Sequence, residues 1–249
     1  SITRESYLFY DAKHWEDMMQ GGYSKITDIN ESPEILSFEP NTNNRLIRRD
    51  LFENFIGEFP SGLRFEDVKP HILSIINAEK IALLNSVGYY YRINREGKIT
   101  DQKSEKRFDI ITTTNDILKS GVLSKLSNYQ VTCVIRGLVR ILFWCGCNTL
   151  MKDRLLFFKT ACKLFSTENK ESRALLKCAL LNVKSKKEFS LMLFLYNNAV
   201  RFLVCFSSGE SSIRSRLFLL KGFFPSDVKI LSALGVKIIQ YSKYISLRR

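Results

Sequence analysis

Apolar positions recur along this chain with two different periods, and the change between them divides it. In TNNRLIRRDLFENFIGEF, Leu46, Leu51, Phe52, Phe55 and Ile56 recur at helical spacing. This spacing predicts a helix from Thr42 or Asn43, stopped by Pro60 and Gly62. HILSIINAEKIALLNSVG predicts a second helix, opening just after Pro70 and ended by Gly88. The period then shortens. GYYYRIN is aromatic and β-branched, NREG is turn-like and KIT resumes an extended pattern, so a hairpin is expected there, with RFDIITT as a candidate third strand. In TTTND, Thr114 or Asn115 is the expected N-cap of the next helix.

From that point the pattern is helical throughout. Helices are expected at 115–126, 128–146, 149–166, 169–183, 187–206, 211–223 and 226–245. Their separators are Gly146, Ser166–Thr167, Ser185, Gly209, and Pro225 followed by Ser226. Connections this short predict antiparallel neighbours in an orthogonal or bundle-like array. The fold class is therefore mainly α: a mixed α+β N-terminal region with a small antiparallel hairpin or sheet over residues 1–113, then an all-α, multi-helix region over 114–249. The two regions are free to pack as one domain. No internal repeat or low-complexity tract interrupts them.

Charge changes this picture. The 249 residues carry a net charge of +13 with 45% apolar and 25% charged residues, the balance of a globular protein with an unusual excess of cations. Residues 1–125 hold 17 Lys+Arg against 19 Asp+Glu, whereas 126–249 hold 21 against 6. The helical half thus carries a surplus of 15 cations, and such a surplus favours anionic partners: nucleic acid, an anionic membrane or an acidic protein.

The segment VTCVIRGLVRILFWCGC places Arg136 and Arg140 one turn apart on a helix that is otherwise apolar nearly all round. An unpaired buried cation costs several kcal/mol. Two outcomes are open for these arginines. Their stems snorkel along apolar surface and their heads pair with acids of the N-terminal half, or they floor a cleft that grips phosphates in bidentate fashion. Arg201, in NNAVRFLVC, repeats the pattern.

The remaining candidates for phosphate contact come in helical clusters: Lys152, Lys159 and Lys163; Arg173 and Lys177; Arg214 and Arg216. One such cluster alone is an ordinary solvated face; their sum outnumbers the local acids. Phe157, Phe158, Phe165, Phe189, Tyr196, Phe218, Phe223, Phe224, Tyr241 and Tyr244 lie among the cations. Most are expected in the core, with one or two free to stack on unpaired bases.

Other chemistry is sparse. No GxxxxGK[ST] or GxGxxG signature is present, and Cys145-Gly146-Cys147 is a lone CxC without a second pair at ligand spacing, so neither a metal nor a cofactor is expected. The six cysteines fall in apolar helical segments, which suits free thiols in a reducing cytoplasm or nucleus better than a disulfide scaffold. The segments 129–147 and 189–206 are interrupted by Arg136, Arg140, Asn197, Asn198 and Arg201, and no leader-like run opens the chain, so a soluble or peripheral intracellular protein is expected. One triplet, Asp101-Gln102-Lys103 with Asp67, His71 and Glu79 upstream, resembles the acid-x-lysine core of metal-dependent nucleases.

The leading expectation is non-enzymatic binding of nucleic acid, RNA or single strands, along the phosphate backbone. In size, basicity and helical make-up the chain resembles viral nucleoproteins, on no shared motif, and self-association would accompany such a role. A matrix-type protein on an anionic membrane or acidic partner is the second expectation, and a metal-dependent nuclease the third.

Overall fold

In the computed structural model, which describes residues 11–86, 88 and 104–197, the first element is α1 (Ala12–Met19), closed by Gln20 in a left-handed conformation. The strand β1 (Ser24–Thr27) follows. A turn then leads to a 3₁₀ segment, Pro33–Ser37, whose proline sits at its start and whose Ile35 and Leu36 are buried.

The helix expected over TNNRLIRRDLFENFIGEF is broken into pieces. Thr42–Asn44 form a 3₁₀ turn in which the Asn41 side chain accepts from the Asn43 N–H. The chain leaves helical geometry at Arg45 (φ −144°, ψ 153°). Arg45 is drawn inward, donating from Nε to the Asn41 carbonyl at 2.8 Å and from Nη1 to His71 Nδ1 at 2.8 Å. Local side-chain bonds of this kind compete with the helix. Helix resumes only as a single turn, α2 (Arg49–Leu51), and a π turn over Phe52–Ile56, which Gly57 stops at φ +66°.

The second expected helix is shorter and starts earlier. α3 runs Val68–Ile76, with Pro70 in its first turn, where no intrahelical N–H is needed. It ends at Asn77, and the apolar run Ile81–Leu84 is strand β2, paired antiparallel to β1 with Ile26 opposite Ala82 and Thr27 opposite Ile81. The expected hairpin around GYYYRIN and KIT lies outside the described residues. RFDIITT is not a third strand. Glu105–Phe108 form a 3₁₀ turn that runs into α4 (Asp109–Lys119), which buries Ile110, Thr113, Thr114 and Ile117 on one face. Thr114 is therefore an interior residue and no N-cap.

α5 (Asn128–Asn148) is the axis of the helical part. Ser127 Oγ accepts from the Gln130 N–H at 3.3 Å, and Gln130 Oε1 accepts from the Ser127 N–H at 2.9 Å, a reciprocal cap that fixes where the helix begins. Gln130 Nε2 also donates to the Ile29 carbonyl and to Asn30 Oδ1, both at 3.1 Å, tying the helix to the turn after β1. α5 is long and apolar enough to cross a membrane, yet it is packed between Pro33–Ser37 on one side and later helices on the other.

Those helices are α6 (Met151–Lys163), α7 (Lys170–Asn182) and α8 (Lys186–Asn197). Phe143 of α5, Phe157 and Phe158 of α6 and Phe194 of α8 form one aromatic cluster, with ring centroids 5.2–5.6 Å apart and mostly edge-to-face. Phe108 joins it at 5.1 Å from Phe157. The fold is thus mainly α, with a two-stranded antiparallel sheet near the N-terminus and a multi-helix C-terminal part. The helices expected at 211–223 and 226–245, with Gly209, Pro225 and Ser226, lie outside the described residues.

Candidate functional site

The arginines singled out on α5 are engaged within the fold. Arg136 donates from Nε to Glu188 Oε2 of α8 at 2.9 Å, and the two side chains are only 13% and 11% exposed. Burial opposes the Arg136 charge, but Glu188, with Cys133 and Tyr129 adding to its effect, holds the pKa above the ordinary value. Arg140 lies 3.6 Å from Asp11 Oδ1, just before α1, and its Nη2 donates to the Ser37 carbonyl. The other oxygen of Asp11 accepts the Glu39 N–H at 2.6 Å. Burial nevertheless raises the Asp11 pKa, against the opposing pull of that bond and of Arg140.

Arg173 on α7 is likewise a tie. Its Nη1 donates to the carbonyls of Phe165 and Tyr196 at 2.9 and 2.7 Å, and its guanidinium lies 3.7 Å from the Tyr196 ring centroid. Two arginines not singled out in the sequence behave similarly. Arg107 is 3% exposed and sits 4.5 Å from the Trp144 ring centroid, while Arg154 Nη2 donates to the Cys147 carbonyl at 2.8 Å.

The lysines are placed in the opposite way. Lys152, Lys159 and Lys163 on α6 and Lys177 on α7 are exposed, as are Lys170, Lys184, Lys186 and Lys187. Among the described residues none of these eight is in an ion pair; the acids nearest in sequence are Asp153, Glu168, Glu171 and the already committed Glu188. Arg201, Arg214 and Arg216 lie outside the described residues.

Arg136 also opens onto a cleft of about 330 Å³ where the N-terminal turn of α5, the Pro33–Ser37 segment and the α7–α8 connection meet. Its charged lining is mixed: Arg136 and Lys184 against Glu34 and Glu188, with His14 beside them. The Tyr129 hydroxyl donates to Glu34 Oε1 at 2.8 Å, and burial, with that neighbouring carboxylate adding to it, pushes the phenol up to about 12. Tyr129 is 39% exposed and was not marked by the helical pattern. The available signal was its position: it sits two residues after the N-cap, off the stripe of Val131, Val134, Ile135 and Leu138.

The nuclease constellation is only partly described. Asp101 and Lys103 lie outside the described residues. Glu79 is exposed, whereas His71 is enclosed, its pKa lowered to about 3 by burial and by Arg45. Burial raises Asp67 to about 6, with Glu66 adding to the effect. Among the described residues no three His, Cys, Asp or Glu side chains come together to hold a metal ion. The five described cysteines are free, and burial pushes the thiols up, to about 11 at Cys133 and about 12 at Cys145 and Cys162.

In comparisons with known proteins, no family model, no curated protein and no solved structure matches this chain.

Proposed function

We propose that the chain binds the phosphate backbone of nucleic acid, single-stranded RNA foremost, through the exposed lysines of α6–α8 and the connection between α7 and α8. The observation that carries this reading is the division of labour among the cations. The described arginines of α5, α6 and α7 spend their hydrogen bonds on Glu188, Ser37, Cys147, Phe165 and Tyr196. The eight exposed lysines have no acidic partner among the described residues. A lysine ammonium is a mobile, hydrated point charge, suited to following a flexible polyanion without reading its sequence. In this reading Arg136, Arg140 and Arg173 build the scaffold that displays the lysines, in place of gripping phosphates themselves.

Binding to a labelled single-stranded RNA, measured across a salt series, tests the reading. Each lysine–phosphate contact releases counterions, so the logarithm of the association constant should fall linearly with the logarithm of salt, by about 0.7 per contact on a single strand. Replacing Lys184, Lys186 and Lys187 together by Gln should reduce that slope by about 2 if all three touch phosphate. Absent or salt-independent binding removes the proposal.

A second reading has its own observation. On α6, Met151, Leu155 and Leu156 are 61%, 43% and 59% exposed. They share the outer surface with Lys152 and Lys159, a mixture suited to the interface of an anionic bilayer. Flotation with phosphatidylserine vesicles, abolished by Leu155→Ser with Leu156→Ser while RNA binding persists, would favour this second reading for α6.

A further inference from the structure

We infer that the cleft at the N-terminal turn of α5 receives one unstacked, amino-bearing base of a bound strand, with the Tyr129 ring as its stacking platform. The inference rests on the nucleic-acid reading above and assigns that reading a base-contacting residue.

The cleft, at about 330 Å³, lies at the small end of the range for ligand pockets, which suits one ring system and no larger ligand. Tyr129 carries the larger of the two rings in its wall, the other being the His14 imidazole, and it is held in place from both ends. The backbone belongs to the first turn of a capped helix, and the hydroxyl is bonded to Glu34 at 2.8 Å. A ring that is 39% exposed and already ordered costs little further entropy when a base stacks on it. Lys184 stands in the same wall, with Lys186 and Lys187 exposed immediately beyond, so the phosphates flanking an inserted base would meet cations at once.

Two uncommitted acceptors in the wall indicate which bases fit. Glu34 uses Oε1 to accept from Tyr129, which leaves Oε2 without a partner among the described residues. Asn182 spends Nδ2 on the Cys178 carbonyl at 2.8 Å, which leaves its Oδ1. Both remaining groups are acceptors. They match the exocyclic amino group of cytosine, adenine or guanine, and they oppose the carbonyl oxygens that flank the single N–H of uracil. Of the strong donors in the wall, Arg136 Nε is engaged with Glu188 and Lys184 is left to the flanking phosphates.

The test compares oligo(C) with oligo(U), two pyrimidine strands of equal size that differ in the group at C4, with oligo(dC) to ask whether the sugar matters. The wild-type chain should bind oligo(C) more tightly than oligo(U). Tyr129→Ala should weaken oligo(C) binding by on the order of tenfold, whereas Tyr129→Phe should retain most of the affinity. Glu34→Gln, which exchanges one acceptor oxygen for a donor, should erase the preference for cytosine without unfolding the exposed edge of the cleft. If Tyr129→Ala or Glu34→Gln leaves oligo(C) affinity and the C-over-U ratio at wild-type values while the salt slope persists, the base site is wrong and the backbone reading stands. If the salt slope and the effect of the Lys184, Lys186 and Lys187 replacements are both missing, the underlying reading fails first.

Discussion

His71 and Asp67 show how far a single buried group can bend the behaviour of this protein with pH. His71 accepts a hydrogen bond from Arg45 at 2.8 Å and stays neutral in the fold, its pKa lowered to about 3, whereas the unfolded chain protonates near the ordinary value of 6.5. As pH falls below 6.5 the unfolded state therefore gains a proton that the folded state refuses, and stability drops at up to about 1.4 kcal/mol per pH unit. Asp67 works in the other direction. Its folded pKa of about 6 lies above the ordinary 3.8, so the fold holds a proton the unfolded chain has lost; this contribution is full at low pH and disappears as pH rises through 6. Between about pH 4 and 6 the two slopes oppose each other. Asp67→Asn should unmask the histidine: its urea midpoint should fall more steeply than wild type on going from pH 6 to pH 4. Parallel profiles for the two proteins would show that Asp67 is charged in the fold.

At the scale of elements, what was legible followed from what each stretch does for itself. α5 to α8 could be located because apolar positions at helical spacing specify a helix from its own residues, and the Ser127–Gln130 cap that fixes the start of α5 is equally local. IALL could not be assigned that way. Four residues fit either period, and Ile81–Leu84 is a strand only because Ser24–Thr27 lies alongside it, a partner about 55 residues earlier in the chain. RFDIITT misled for a related reason: its β-branched residues favour strands, but burial of Ile110, Thr113, Thr114 and Ile117 against α5 and its neighbours decided for α4.

Within α5 two glycines test the packing with opposite expected signs. A Cβ at Gly146 would lie 2.5 Å from Phe158 Cζ and 2.9 Å from Phe157 Cδ1, atoms locked in the aromatic cluster. Gly146→Ala should therefore destabilise by about 1–3 kcal/mol despite the better helix propensity of alanine. A Cβ at Gly137 would meet Ser37 Cα at 3.5 Å, ordinary contact, so Gly137→Ala should be neutral or stabilising by up to about 1 kcal/mol. Chemical denaturation of both variants reads the difference directly.

Across the whole molecule, the surplus of cations was visible in the sequence, but the distinction between cations that hold the fold and cations that face outward was not. Arg136 finds its acid at Glu188, 52 positions away and in the same basic half, and Arg140 finds Asp11 at the far end of the chain. No local pattern announces such pairs. The distinction yields a prediction that separates architecture from binding. Arg136→Gln leaves Glu188 as a buried carboxylate without its cation, a change that costs about 3–5 kcal/mol when both partners are well enclosed and less here, where each keeps some solvent contact. Its melting temperature should drop by several degrees. Replacing Lys152, Lys159, Lys163 and Lys177 by Gln removes four like charges from exposed positions that satisfy nothing inside the fold. Relief of self-repulsion should leave the melting temperature unchanged or slightly raised at low ionic strength, and the gain should shrink as salt is added. The same quadruple variant should lose affinity for single-stranded RNA, most strongly at low salt, where counterion release is worth most. If the quadruple variant instead melts early and Arg136→Gln does not, the assignment of arginines to the scaffold and lysines to the partner is reversed.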